Sequence, residues 1–227
     1  MSRKAAIYHF TNESTQRPKI YRDQLKALEK YAESAGLDVA DIYCDMSLKR
    51  SERTEFDRFL ANSDRYDALV TKDFYHIAKN TSKCLDVMQQ LRNKGLQIHS
   101  IESGIFTWGD APLDKPLRAA TYTRHFGTPN EMKEVIPLRN DILTLFTEKK
   151  TNWTVIDQYY DESLYQKDCE QIQIKELIAS RDKYDLLLVH KMNDVHWRTA
   201  NFCRIREQLQ LDIYSLQEGF LKYRRNL

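Results

Sequence analysis

The sequence predicts an α/β protein of two tandem domains, each a mostly parallel sheet flanked by helices. Three observations carry that prediction. The first is an internal repeat. Ala5-Ala6-Ile7-Tyr8 returns as Ala119-Ala120-Thr121-Tyr122, and Tyr43-Cys44-Asp45-Met46-Ser47-Leu48 as Tyr159-Tyr160-Asp161-Glu162-Ser163-Leu164. Arg65-Tyr66-Asp67-Ala68-Leu69-Val70 returns as Lys183-Tyr184-Asp185-Leu186-Leu187-Leu188, and Ile98-His99-Ser100-Ile101 as Ile213-Tyr214-Ser215-Leu216. The matches are collinear, at an offset of 114 to 118, which is domain duplication and not the short period of a solenoid. The second is an alternation of strand-length apolar runs with segments of helical spacing, which calls for a parallel sheet covered on both faces. The third is a join holding Pro112 and Pro116. Together these divide the chain into a first domain over residues 1–110, an ordered linker over 111–117 and a second domain over 118–227.

In the first copy, strands are expected at Ala5–Phe10, Val39–Cys44, Ala68–Thr71 and Ile98–Ile101. Helices fall between them. Tyr21, Leu25, Leu28 and Tyr31/Ala32 share one face, as do Phe56, Phe59 and Leu60, and then Cys84/Leu85, Met88 and Leu91. Gly36 and Gly95 stand where helices should stop in a left-handed residue. In the second copy the spacing of Leu138, Ile142, Leu145 and Phe146 predicts the apolar face of a helix, followed by a strand at Val155–Tyr159. A helix through Ile174, Leu177 and Ile178, a strand at Leu186–Val189, a helix through Phe202, Ile205 and Leu209, and a strand at Ile213–Leu216 complete it.

Bulk properties narrow the function classes. A net charge of +2 on 227 residues implies no general attraction to nucleic acid or anionic membrane. No apolar run approaches a bilayer span, and the start Met1-Ser2-Arg3-Lys4 leads into a strand-like run and not a secretory signal, so cytoplasmic residence is expected. Cys44, Cys84, Cys169 and Cys203 are scattered and read as reduced thiols, with no metal site and no cofactor implied.

The first copy resembles the catalytic domain of the serine recombinases, the resolvase and invertase family. The resemblance runs from Ala5 to Asp110 through Ile7-Tyr8, Gln16, Gln24, Tyr31-Ala32, Asp45, Arg53, Phe56, Tyr66-Asp67-Ala68-Leu69-Val70 and Ile98-His99-Ser100-Ile101. It closes on Gly104-Ile105-Phe106-Thr107 and Gly109-Asp110, similar to the family's Gly-Ile-x-Thr-x-Gly-Asp stretch. The second copy resembles the family mainly through the first.

The resemblance implies a serine nucleophile that attacks a phosphodiester and arginines that neutralise the phosphoryl charge. Here the chain departs from it. Where the family has Tyr-x-Arg-x-Ser, this sequence has Tyr8-His9-Phe10-Thr11-Asn12, so Phe10 replaces an arginine and Asn12 the nucleophile. Where the family has Asp-Arg-Leu-Ser-Arg, it has Tyr75-His76-Ile77-Ala78-Lys79, with His76 and Lys79 at the arginine positions. In the second copy Arg124 keeps the first arginine, but Phe126 takes the serine position, and Asp194 and Trp197 take the later arginine positions. Gln16, Arg53 and Arg124 are left as candidates for residual phosphate or anion contacts. Ordinary roles are equally open to them: Arg53 as a surface cap or ion-pair partner, Gln16 as a loop residue. Asp45 and Asp67 recur in both copies and read as structural, at strand and turn ends.

The implied function is non-catalytic protein binding, as a regulator or adaptor in a phage or mobile-element DNA process. One alternative is DNA binding through this fold without cleavage. A second is an active recombinase with a nucleophile displaced to Thr11, Ser14 or Thr15. The family's long dimer helix and helix-turn-helix are replaced by the proline-bearing join and the second copy, so DNA binding by a helix-turn-helix is not expected. Phe220 and Leu221 are then the apolar residues expected to shield an uncovered face, and a protein partner or self-association is expected there.

Overall fold

A computed structural model describes residues 3–11, 18–46, 53–165 and 170–223. The chain divides into two compact units, Met1–Phe106 and Thr107–Tyr223.

Unit 1 runs β1 (Arg3–Thr11), α1 (Pro18–Ser34), β2 (Leu37–Met46), α2 (Thr54–Ala61), β3 (Ala68–Thr71), α3 (Thr81–Asn93), β4 (Gln97–Ser100) and the start of β5 (Gly104–Gly109). The strand order is β2-β1-β3-β4-β5, parallel until β5 turns back on β4 through residues 104–106. The core strands are continuous apolar runs, Ala5 to Tyr8 and Ala68 to Val70, as a sheet covered on both faces requires. Leu28 and Ala32 of α1 pack on Ala5, Ile7, Ala68 and Val70. Phe56 and Phe59 of α2 and Leu85, Met88 and Leu91 of α3 are also buried.

Unit 2 runs β6 (Leu117–Phe126), α4 (Pro129–Lys150), β7 (Trp153–Ser163), α5 (Ile172–Ala179), β8 (Leu186–Val189), α6 (Met192–Val195), α7 (Thr199–Leu209), β9 (Asp212–Ser215) and β10 (Gly219–Lys222). The order β7-β6-β8-β9 is parallel. β10 is antiparallel to β9 on one side and to residues 107–109 on the other. Thr107–Gly109 pairs with Phe220, Leu221 and Lys222, and the two compact units divide between Phe106 and Thr107, before the boundary at 110 that the sequence predicts. Residues 111–117 are held by hydrogen bonds: the Trp153 indole donates to the Pro112 carbonyl at 3.1 Å, and Asn152 N to the Leu113 carbonyl at 2.7 Å.

The two units match in detail. The register of β1 slips between Ala5 and Ala6, and that of β6 between Ala119 and Ala120. Tyr43 and Tyr66 share a hydroxyl–hydroxyl bond of 2.6 Å, and Tyr159 and Tyr184 one of 2.7 Å. Asp67 accepts from Lys4 N at 2.7 Å and Asp185 from Arg118 N at 2.9 Å. Gly36 and Gly95 take φ of +67° and +86°, the left-handed endings expected of α1 and α3. At the end of α7 the same conformation falls on Gln210, φ +55°, where a side chain strains it.

Two expectations are corrected here. Phe220 and Leu221 do not form an exposed interface: they are 4% and 0% exposed, because β10 is an inner strand between β9 and residues 107–109. Leu138, Ile142 and Leu145 do not face the core of unit 2. They are 58%, 39% and 46% exposed, and α4 is anchored by Met132, Ile136 and Leu143 instead.

Candidate active-site region

In unit 1 the C-terminal ends of β1, β2 and β3 and the starts of α2 and α3 converge. Asp45, at the end of β2, accepts from Glu55 N and Phe56 N at 3.0 Å each, so its carboxylate satisfies the first amides of α2. The Tyr8 hydroxyl donates to the same carboxylate at 3.1 Å. Burial, then the Asp45 charge beside it, holds the Tyr8 phenol well above the usual range. Unit 2 repeats this device: Asp161 accepts from Gln173 N at 3.0 Å, Ile174 N at 3.2 Å and Tyr122 Oη at 2.8 Å. Both aspartates thus hold two amides of the following helix and one buried tyrosine hydroxyl.

Arg53 lies beside this cap, immediately before α2. Its guanidinium donates through Nη1 to the Ile77 carbonyl and lies 5.5 Å from the Phe10 ring centre and 5.8 Å from that of Phe56. The His76 ring is edge-on to Phe10 at 6.4 Å and 5.6 Å from His9. Phe10, His9 and His76 are all buried, and burial with Lys72 nearby lowers the His9 pKa. Arg53 and Lys79 line one cleft of about 460 Å³ together with Lys83 and Asp57. The structure therefore brings together Phe10, Arg53, His76 and Lys79. Asn12 and Gln16 lie outside the described residues, as do Ser14 and Thr15. Thr11 is buried at the end of β1.

In unit 2, Gln171 occupies the place of Arg53. Its carboxamide donates to the Val195 carbonyl at 2.6 Å and to Tyr122 Oη at 3.0 Å. The acceptor carbonyls, Ile77 and Val195, correspond in the repeat. Arg124, 4% exposed, lies over Phe126 at 5.1 Å and donates to the Asn193 carbonyl at 2.7 Å. Arg139 of α4 donates to the Arg124 carbonyl at 3.1 Å and reaches the Asp194 carboxylate at 3.8 Å. Burial pushes the Asp194 carboxyl up to about 6, against the pull of Arg139, Lys191 and Arg124. Trp197 instead stacks with His196 at 6.2 Å and under Arg198 at 4.6 Å. Burial, with Arg124 and Arg198, lowers the His196 pKa to about 4.

Sequence reasoning missed Gln171 and Arg139. Gln171 could have been found as the counterpart of Arg53 at the repeat offset. Arg139 carries no such signal, since the helix α4 has no arginine counterpart in α1 at that place.

At its strand ends unit 1 thus joins a carboxylate-capped helix, Arg53 and a cleft lined by Lys79 and Lys83. Residues 12–118 match the family model described as Resolvase, N terminal domain. The chain aligns with the N-terminal catalytic domain of TP901-1 integrase, with 20% identity and a TM-score of 0.39 over 44% of this chain and 78% of that one. It is also similar to the C-terminal catalytic domain of ISC1926 TnpA, an IS607-like serine recombinase, with 16% identity and a TM-score of 0.38 over 64% and 82%. A solute binding protein of an ABC transporter from Bacillus halodurans C-125, with bound myo-inositol, aligns over 94% and 76% at 11% identity and a TM-score of 0.29. No curated protein matches the chain. Among the described residues no helix is long and apolar enough to cross a membrane, and no group of His, Cys, Asp and Glu could hold a metal ion.

Proposed function

We propose that this chain is a tandem, catalytically silent relative of the serine recombinases, acting by protein binding as a regulator or adaptor in a phage or mobile-element DNA process. The observation that carries this reading is the chemistry at the recombinase nucleophile position, Asn12 in the first copy and Phe126 in the second. A carboxamide oxygen is a poor nucleophile and a phenyl ring is none. The charge balance needed for phosphoryl transfer is also poor. Phe10 stands where a guanidinium would meet the phosphoryl oxygens, Arg53 is turned onto a backbone carbonyl, and in unit 2 a buried carboxylate, Asp194, stands at a cation position. Each missing donor costs on the order of 100-fold in rate. Burial of Thr11 argues against it as a displaced nucleophile.

The test is to incubate the full chain with a randomised duplex DNA pool, quench in denaturant and look for a covalent protein–DNA adduct. None is expected from the parent or from Asn12→Ser, because Phe10, His76 and Lys79 would still stand in place of arginines. A phosphoprotein adduct on Thr11, Ser14 or Thr15 of the parent overturns the reading. A second reading, DNA binding without cleavage, is favoured by one observation, the cleft where Arg53, Lys79 and Lys83 meet. Salt-dependent binding of the same pool, weakened by Lys79→Gln/Lys83→Gln, would favour it.

A further inference from the structure

The outer face of α4 carries apolar residues that the fold does not use. Val135, Leu138, Ile142 and Leu145 recur at steps of three, four and three, the spacing of a coiled-coil seam. Leu138, Ile142 and Leu145 are exposed and Val135 is half-buried. The corresponding helix of unit 1, α1, is polar on its outer side, with exposed Arg22, Asp23, Lys26, Glu29, Lys30 and Glu33. The helix that follows the first strand of unit 2 thus carries an apolar seam that its counterpart in unit 1 lacks. One flank of the seam is acidic throughout: Glu134, Asp141 and Glu148 are exposed at intervals of seven residues. Beyond that ridge, a groove of about 640 Å³ opens towards β7, floored by Met132 and Ile136 and walled by Tyr160. Pro137 lies on this groove and has no N–H to give to the Lys133 carbonyl one turn earlier.

We propose that this face is a docking site for a basic amphipathic helix of another protein. The occupant would present apolar residues at three–four spacing and lysine or arginine along the edge that meets Glu134, Asp141 and Glu148. Charge decides against a second copy of this chain in the antiparallel arrangement. There Glu134, Asp141 and Glu148 of one helix would face the same three carboxylates of the other, and like-charge pairs across such a seam oppose association. A basic flank removes that repulsion and adds three opposite-charge pairs around an apolar centre.

The probe is a fluorescent 21-residue peptide with leucine at the seam positions and lysine on both flanks, beside an otherwise identical peptide with glutamate flanks. Titrated with the full chain, the lysine peptide is expected to bind at least tenfold more tightly than the glutamate peptide. Leu138→Gln/Leu145→Gln is expected to weaken it tenfold or more, with the thermal transition kept. Asp141→Lys/Glu148→Lys is expected to reverse the preference between peptides, which non-specific adsorption would not do. Equal binding of the two peptides, no binding, or binding indifferent to Leu138→Gln/Leu145→Gln overturns the proposal. So does light scattering that shows a parent dimer made monomeric by the same double variant, since the seam would then be occupied by a second copy.

Discussion

Replacing Asp194 with asparagine removes a charge that unit 2 holds under protest. The carboxyl is 4% exposed, with Arg139 at 3.8 Å as its nearest paired cation. Burial outweighs that attraction and raises the pKa from 3.8 to about 6. The native state therefore holds a proton that the unfolded chain has already lost between those two values. Stability from this group is fully present below the unfolded value and is lost as pH rises through about 6. At about 1.4 kcal/mol for each pKa unit, the loss at pH 8 is on the order of 3 kcal/mol. Asparagine has the same shape and no charge. The variant is expected to match the parent near pH 4 and to be more stable by about 1–3 kcal/mol at pH 8. Tryptophan fluorescence during urea unfolding reads this directly, because Trp108, Trp153 and Trp197 all lie in unit 2. A variant less stable than the parent at pH 8 would refute the reasoning, since it would mean that Arg124, Arg139 and Lys191 need the carboxylate more than burial penalises it.

Asp161→Ala strips two amides of α5 and the Tyr122 hydroxyl of their acceptor, and should cost about 2–4 kcal/mol by urea unfolding, against about 1 kcal/mol for Tyr122→Phe. Gln210→Gly relieves the left-handed residue after α7 and should raise stability by about 0.5–1 kcal/mol in thermal melts. His99 is buried as the neutral ring between Tyr31 Oη at 3.3 Å and Gln97 Oε1 at 3.2 Å, and burial lowers its pKa to about 4. Its contribution is present above pH 6.5 and is lost as pH falls through about 4, a change of roughly 3 kcal/mol. Circular dichroism melts should show that acid sensitivity reduced in His99→Gln.

Strands and inner helix faces were legible because burial on both faces writes itself as apolar runs, as at Leu186–Val189, and because the repeat checks each element against its counterpart. The Asp45 and Asp161 caps were legible as recurring polar residues at strand ends, though their tyrosine partners were not, since Tyr8 and Tyr122 also satisfy the core pattern. Two readings failed for physical reasons. Periodicity reports that a helix has an apolar stripe but not which way it points, and α4 carries two: Met132, Ile136 and Leu143 inward, Leu138, Ile142 and Leu145 outward. The sequence leaves Phe220 and Leu221 without a visible cover because the strand that pairs with them, residues 107–109, is more than a hundred positions away. In the candidate site, the clustering of Phe10, Arg53 and His76 followed from their places at strand and helix ends. The direction of Arg53, onto the Ile77 carbonyl, depends on how α2 meets the chain before α3.

The paired tyrosine–aspartate caps also give the protein an alkaline limit. Buried phenols that donate to carboxylates, Tyr8 and Tyr122 at the helix caps and Tyr66 and Tyr184 on half-buried β2 and β7 carboxylates, are all held above the usual tyrosine range, and Tyr21 is pushed up to about 12. Each of the four carboxylate-bound phenols becomes a second negative charge beside a first if it ionises in place. Their stabilising share is present below the ordinary phenol value and disappears as pH climbs past it. In base, then, these side chains should turn to tyrosinate together with the loss of the fold, so that a spectrophotometric titration of a chain with 13 tyrosines separates into an early, gradual phase from the surface and a late, abrupt one from the helix caps.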